Sequence, residues 1–386
     1  MTKKYLAALL PLAILSQAAQ ATIKTEAGDF NVDLRLRYEG VSTDAKDATG
    51  LTLRTVANFK SISKSGFYGF VEIENSLALI EDYTNPVNPD PDHAVILDPP
   101  TTELDQLYLG YAKDGLSVKV GRQVITMDGH RFVGHVGWRN DKQTFDAVSA
   151  TYTASDALKL SAAYISKRNR IFADDLDIDS SDILLNASYK TPYGQLTGYG
   201  YLLEEDDSGT VIDTYGASFA GKKEAISYKL EAATQTMEAG GMEYDTSYLL
   251  AEVGTKIGAV NVKAGYESLG SDDGMKGFAT PLATLHKFNG WADQFAASTP
   301  AVGLDDVYAT VAGKALGGKW ALTYHSYSAN ESTDTVDDLG SEINVVYNTK
   351  LSGFPLGVKY AMYSAGDQAS GKVDTDKVWI WTGYKF

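Results

Sequence analysis

The sequence predicts an all-β protein, a transmembrane up-and-down antiparallel β-barrel of about 18 strands, on three observations. Apolar and polar residues alternate at period two along most of the chain. Short connections alternate with longer ones, and the last residues, KVWIWTGYKF, are themselves a strand pattern.

At the start, MTKKYLAALLPLAILSQAAQA places Lys3 and Lys4 ahead of an apolar run from Tyr5 to Leu15, with Ala19 and Ala21 where a signal peptidase reads. Residues 1–21 therefore read as a signal peptide and residues 22–386 as the barrel. Without Lys3 and Lys4 the formal charge of −16 becomes −18, which argues against nucleic acid as a partner. The absence of cysteine removes disulfides, thiolate ligands and thiolate nucleophiles. No later stretch reaches the roughly 18 apolar residues of a membrane-spanning helix. The 24 Tyr and 36 Gly against 10 Pro favour strands and tight turns.

The strand grammar is uniform. Phe30, Val32, Leu34, Leu36 and Tyr38 alternate with Asn31, Asp33, Arg35, Arg37 and Glu39; Val260, Val262, Ala264 and Tyr266 alternate with Asn261, Lys263, Gly265 and Glu267. Strand segments fall near 30–39, 51–60, 67–76, 104–112, 116–124, 145–153, 157–167, 182–190, 195–203, 212–220, 225–235, 247–255, 259–268, 305–313, 318–328, 341–349, 355–364 and 377–386. Even-numbered segments are followed by short turns such as KDG, ASD, PYG and KIG. Odd-numbered ones are followed by longer loops, from Val41 to Gly50 up to the stretch between Ser271 and Gly303. Short periplasmic turns and longer outside loops are the pattern of a barrel in the outer membrane of a Gram-negative bacterium.

Aromatic residues on the apolar parity near strand ends, among them Tyr38, Phe67, Tyr111, Tyr164 and Tyr324, fit interfacial girdles better than the dry face of a soluble sandwich. A strand at the very end of the chain has to pair with the first strand, because hydrocarbon tolerates no open edge. Tyr384 and Phe386 form the aromatic C-terminal signal such barrels present to the barrel assembly machinery. Membrane lipid and lipopolysaccharide are the other expected partners, and a homotrimer is one arrangement left open.

The polar parity faces the lumen. It carries Arg35, Arg37, Arg54, Lys119, Lys359 and Lys377 as pore-lining cations, with Glu72 and Glu74 beginning an acidic wall next to them. Closure gathers Lys377, Arg35, Arg37 and Arg54 into one basic wall, which would lay a transverse field across an aqueous pore. The third outside loop, with His130, Arg131, His135 and Arg139 among glycines, is the candidate for an inward-folded constriction. The spacing of its histidines matches no compact ligand pattern, so no metal and no cofactor are expected. Only one histidine, His325, lies on a strand, facing the lumen without an obvious partner, so no catalytic residues are assigned and an enzyme is not expected.

VGRQVI at 120–125, WRNDKQTFDAV at 138–148, HKFNGWADQF at 286–295 and TPAVGLDD at 299–306, with DLRLRYE in the first strand, make the chain resemble the alginate export family of outer-membrane barrels. The resemblance implies eighteen strands and the passage of polar or anionic solutes. A mixed lumen and uniformly short periplasmic turns favour a porin for passive passage of small polar, chiefly anionic solutes or sugars. The alternative is a dedicated exporter of an anionic polysaccharide such as alginate. An outer-membrane hydrolase and a structural or adhesive barrel rank below both.

Overall fold

The computed structural model describes residues 22–172 and 174–386, so the expected signal peptide, residues 1–21, lies outside the described residues. Their strands close into one barrel of eighteen: β1 (Gly28–Thr43), β2 (Asp47–Ser61), β3 (Phe67–Asp82), β4 (Thr101–Lys113), β5 (Leu116–Gln123), β6 (Thr144–Thr153), β7 (Leu158–Asn169), β8 (Ile178–Thr191), β9 (Gly194–Glu205), β10 (Thr210–Lys223), β11 (Ile226–Ala239), β12 (Met242–Ile257), β13 (Val260–Leu269), β14 (Leu304–Ala315), β15 (Gly318–Ser328), β16 (Asp338–Leu351), β17 (Phe354–Ser364) and β18 (Thr375–Lys385). Each pairs antiparallel with its sequence neighbours, and β18 pairs with β1 from Asp33–Lys385 to Thr43–Thr375. A two-residue strand, Ile23–Lys24, folds back on the start of β1.

The alternation sets what each face does. Outward positions are apolar and exposed, as at Leu109 (73%), Val307 (56%) and Leu185 (49%), which is the arrangement a hydrocarbon surround stabilises. Outward rings pair across strands near the periplasmic edge, with Phe67 and Tyr111 at 4.8 Å and Phe354 and Tyr384 at 5.9 Å between centroids, and Tyr384 also meets Phe386 at the end of its own strand at 5.6 Å. Most periplasmic connections are two-residue turns, at 114–115, 192–193, 224–225, 258–259, 316–317 and 352–353.

The outside connections differ from the reading of the sequence. The stretch from Val41 to Gly50, expected as a loop, is mostly strand: Val41 pairs with Ala48 and Ser42 with Asp47, leaving 44–46 to turn the chain. Connections at 206–209 and 240–241 are equally short. Above the hydrocarbon a strand needs no apolar outward face, so backbone pairing continues after the alternation that marks it has faded.

The closing edge reaches the last residue. Phe386 donates to the Val32 carbonyl at 2.9 Å and accepts from the Val32 amide at 2.6 Å. Replacing Phe386 with Asp puts a charge in the aromatic girdle beside the closing pair. The Phe386→Asp protein should reach the membrane at a fraction of the wild-type level, measured by immunoblot of membrane fractions, while a change such as Ser332→Asp in an outside loop leaves the level unchanged.

Candidate functional site

Three outside loops, the second (residues 83–100), third (124–143) and seventh (270–303), turn back into the barrel and fill its outer half. The third and seventh are zipped together by backbone bonds. Gly134 donates to the Leu282 carbonyl at 2.7 Å and Thr284 to the His130 carbonyl at 3.0 Å. At Gly134 a side chain would strike the Thr284 hydroxyl, so the loops touch only because that residue is glycine. In the HKFNGWADQF stretch Gly290, at φ +88°, turns the chain so that the amides of Trp291 and Ala292 both point at the Glu342 carboxylate of β16, the Ala292 bond measuring 2.9 Å.

One side of this plug is apolar. Phe132 of the third loop and Phe278 of the seventh pack against Tyr199, Tyr201 and Tyr248 on the lumen faces of β9 and β12, with the Phe132 and Tyr248 rings 5.1 Å apart. The opposite side is held by charge. Arg37 on β1 bonds Asp98 of the second loop and the Trp138 carbonyl of the third. Arg139 of the third loop bonds Glu39 at 3.0 Å, Asp98 at 3.3 Å and Asp293 of the seventh loop at 3.0 Å. Lys377 on β18 reaches the same Asp293 at 3.0 Å. All six side chains are at least 90% buried.

The electrostatics follow from that enclosure. Burial works against an ionised Asp98, but Arg37 and Arg139 outweigh it and hold the carboxyl at about 2. Burial likewise opposes ionisation of Asp293, and His286, Lys377 and Arg139 bring it well below the carboxylate range. Burial and the neighbouring Lys359 and Arg139 outweigh the attraction of Asp293 and push His286 down to about 3, so its ring is neutral. The neutral ring donates from Nδ1 to Asp293 at 2.6 Å and accepts at Nε2 from the Lys359 ammonium at 2.8 Å. Lys359 itself sits 4.0 Å from the ring centroids of both Trp138 and Trp291.

The residues singled out in the sequence are therefore distributed as follows. Arg35 bonds the Arg139 carbonyl at 2.7 Å and Asn140 at 2.9 Å, and Arg54 pairs with Asp33 at 3.1 Å. Glu72 and Glu74 both accept from Lys142 of the third loop at 2.9 Å. Lys119 lies over the Tyr108 ring at 4.7 Å. Arg131 bonds Glu267 at 2.6 Å and Asn289 at 3.1 Å, while His130 and His135 stand edge to face at 5.4 Å. Burial lowers both imidazoles, helped at His130 by Lys287 and at His135 by His130. His325 has a partner that sequence reading missed, Asp306 at 2.9 Å, supplied by the adjacent strand. Arg37 does not face water as an outward-reaching pore cation would: it is 1% exposed, because the second and third loops close over it. Asp98, Lys142, His286 and Asp293 carry much of the network and were not singled out individually. Lys142 lies in WRNDKQTFDAV and the last two in HKFNGWADQF, stretches that the sequence marks as distinctive; Asp98 lies in neither.

Outside the plug lies a vestibule of about 1180 Å³. Arg131, Arg139 and Lys377 line it, together with Lys46, Arg168, Arg170 and Lys276; Asp90, Glu205 and Asp293 are the acids on its wall. Phe172, Phe288 and Phe295 give it an apolar component.

Two outcomes test this geometry. Arg139→Ala leaves Glu39, Asp98 and Asp293 facing one another in a buried site, a loss of about 3–5 kcal/mol for a broken buried pair. It should give larger, noisier single-channel currents while the barrel keeps its resistance to unfolding by detergent and heat. His286 is depressed from 6.5 to about 3, so the unfolded or released loop binds more protons than the plug between those values. Plug stability should be full above pH 6.5 and fall as the solution is acidified toward pH 3, read as rising protease sensitivity of the seventh loop, with His286→Gln removing the histidine-dependent part.

A model of the alginate export family matches residues 26–269, well over half of the chain. No curated protein sequence matches it. Among solved structures, OccAB4 of Acinetobacter baumannii superposes with a TM-score of 0.72 at 13% identity, covering 94% of this chain and 98% of that one. OccK9 (OpdG) of Pseudomonas aeruginosa gives 0.70 at 16% identity over 92% and 97%. Pseudomonas aeruginosa OpdK, solved with vanillate, gives 0.70 at 13% identity over 92% and 98%. These likenesses show a shared fold, and with the family match over strands β1 to β13 they lead to one conclusion: the chain is an outer-membrane barrel that belongs to the alginate export family.

Proposed function

We propose that the barrel is a channel for passive passage of small polar solutes, chiefly anions or sugars, entered through the vestibule. The observation that supports this reading most is the charge of the vestibule wall, where seven cations face three acids although the chain as a whole is acidic. Arg168 is spent on Asp182 and Glu205, Arg131 on Glu267 of β13, and Arg139 and Lys377 on Asp293 of the plug. Lys46, Arg170 and Lys276 form no ion pair among the described residues and are the wall cations left to meet a solute, although Glu205 and Asp177 partly offset Arg170. Arg170 also lies over the Phe172 ring at 5.0 Å, which pairs a cation with an apolar face. An aromatic carboxylate, such as the vanillate with which OpdK was solved, carries a ring and an anion that complement that pair.

Export of an anionic polysaccharide remains the second reading, carried by the family itself. It would require the plug to leave the lumen, because three loops occupy the outer half. A hydrolase has less behind it: among the described residues no hydroxyl is hydrogen-bonded to His325, whose Nδ1 is engaged by Asp306. Lipopolysaccharide around the rim, and assembly through Tyr384 and Phe386, complete the proposal.

Outside-loop acids are screened beyond a Debye length of about 8 Å at physiological salt, whereas charges inside a low-dielectric vestibule are focused. The wild-type protein in a planar bilayer should show weak anion preference at low salt that fades as salt rises. Arg170→Glu with Lys276→Glu should abolish or invert it. Arg35 and Arg37 are unsuited to the same test, since they fasten the plug. Cation preference in the wild type, or an unchanged reversal potential in the double variant, would contradict the proposal.

A further inference from the structure

Where the third loop crosses β3 and β4, three carboxyl groups, Glu72, Glu74 and Asp105, gather around a single ammonium, and two more, Glu103 and Asp141, lie beside them. Lys142 bonds Glu72 and Glu74 at 2.9 Å and also bonds Asp105. Glu72 is further satisfied by Gln106 at 2.7 Å and Asn58 at 3.0 Å. Asp141 receives none of this. It is 3% exposed, its carboxyl lies within hydrogen-bonding reach of Glu103, and its Oδ2 has no partner. Glu74 Oε1 and Glu103 Oε1 are also buried without partners.

The surroundings do not supply the missing positive charge. From β5, Arg122 faces Glu103 but is already committed to Asp146 at 2.8 and 3.2 Å. From the fourth loop, Asp174 and Asp177 add negative charge toward Glu103. Arg35 and Arg54 face Glu74 from β1 and β2, and Arg54 is paired with Asp33. Burying several carboxylates with so few cations is untenable unless something neutralises them. Among the described residues no three acid or histidine side chains converge as metal ligands. Two adjacent carboxyl groups can instead share a proton, since like charges that close cannot both ionise.

We propose that Asp141 stands in the lumen as a neutral acid that donates its proton to Glu103, and that this shared proton is a latch fastening the third loop to β4 that alkali releases. Burial, with Glu103 and Glu74 opposite, pushes Asp141 up from 3.8 to about 9, so the latch is closed at neutral pH. With the folded value raised, the protonated carboxyl's contribution declines as pH climbs and is lost above about 9. There an ionised Asp141 faces two carboxylates, the third loop loosens, and the lumen gains a negative charge.

The proposal rests on the channel reading, and the test separates the two. Single-channel recordings of the full-length barrel should show conductance rising and anion preference falling across a midpoint at about pH 9. D141N, which keeps a donor toward Glu103 and cannot ionise, should abolish the step. E103Q removes the facing anion and should move the midpoint to lower pH, a shift that general titration of lysines or tyrosines would not produce. A wild type without a step, or a step that survives unchanged in D141N, overturns the latch. If the protein forms no channels at all, the channel reading fails. The latch is then read from tryptophan emission of Trp138 and its lumen neighbours: a pH-dependent difference between wild type and D141N supports it, and identical curves overturn it. If D141N does not assemble, the E103Q midpoint decides alone.

Discussion

A peptide group in hydrocarbon finds no hydrogen-bond partner except another peptide group, and the architecture of this chain follows from that constraint. It forces the strands to pair all the way round, so that β18 meets β1 and even Phe386 exchanges two backbone bonds with Val32. It also fixes which side chains are free for function. With one parity given to lipid, the other parity of eighteen strands must fill or line a wide lumen.

This lumen is too wide for strand side chains to fill, and the chain fills its outer half with its own loops. The two sides of the plug use different physics. Against β9 and β12, ring packing is non-directional and tolerant of small shifts. Against β18, β1 and β3, the contacts are buried ion pairs, whose attraction offsets desolvation only when geometry is held. Such an interface works as a set of discrete fastenings, and each one is a point where protonation can alter the plug. The tryptophan cage around Lys359 ties β17, the third loop and the seventh loop to one ammonium.

The fold was legible in the sequence because period two is a local property. Phe30 to Glu39 states which way each residue of β1 points, and the turn signals state where each hairpin ends. Strand ends on the outside were less legible, as at Val41 to Gly50, since polar strands beyond the membrane lose the alternation. The site was legible only in part. Charge at Arg35, Arg37 and Lys377 could be read, but what meets it could not. Asp98 sits in an irregular ILDPP segment 61 residues from Arg37, and Arg139 and Glu39 are 100 residues apart. Pairings at that separation leave no local pattern. The wall read as a row of open pore cations is thus in good part the anchor of the plug.

The central claim is that the third and seventh loops form one ordered plug fixed in the lumen. Hydrogen–deuterium exchange of the barrel in lipid tests this most directly. The account predicts that the amides of Gly134, Thr284 and Ala292, which donate to Leu282, His130 and Glu342, exchange as slowly as strand amides in β1. It also predicts that exposed outside residues such as Ser332 to Thr335 exchange quickly. Equal, fast exchange of both sets would contradict it and leave an open barrel with loops outside.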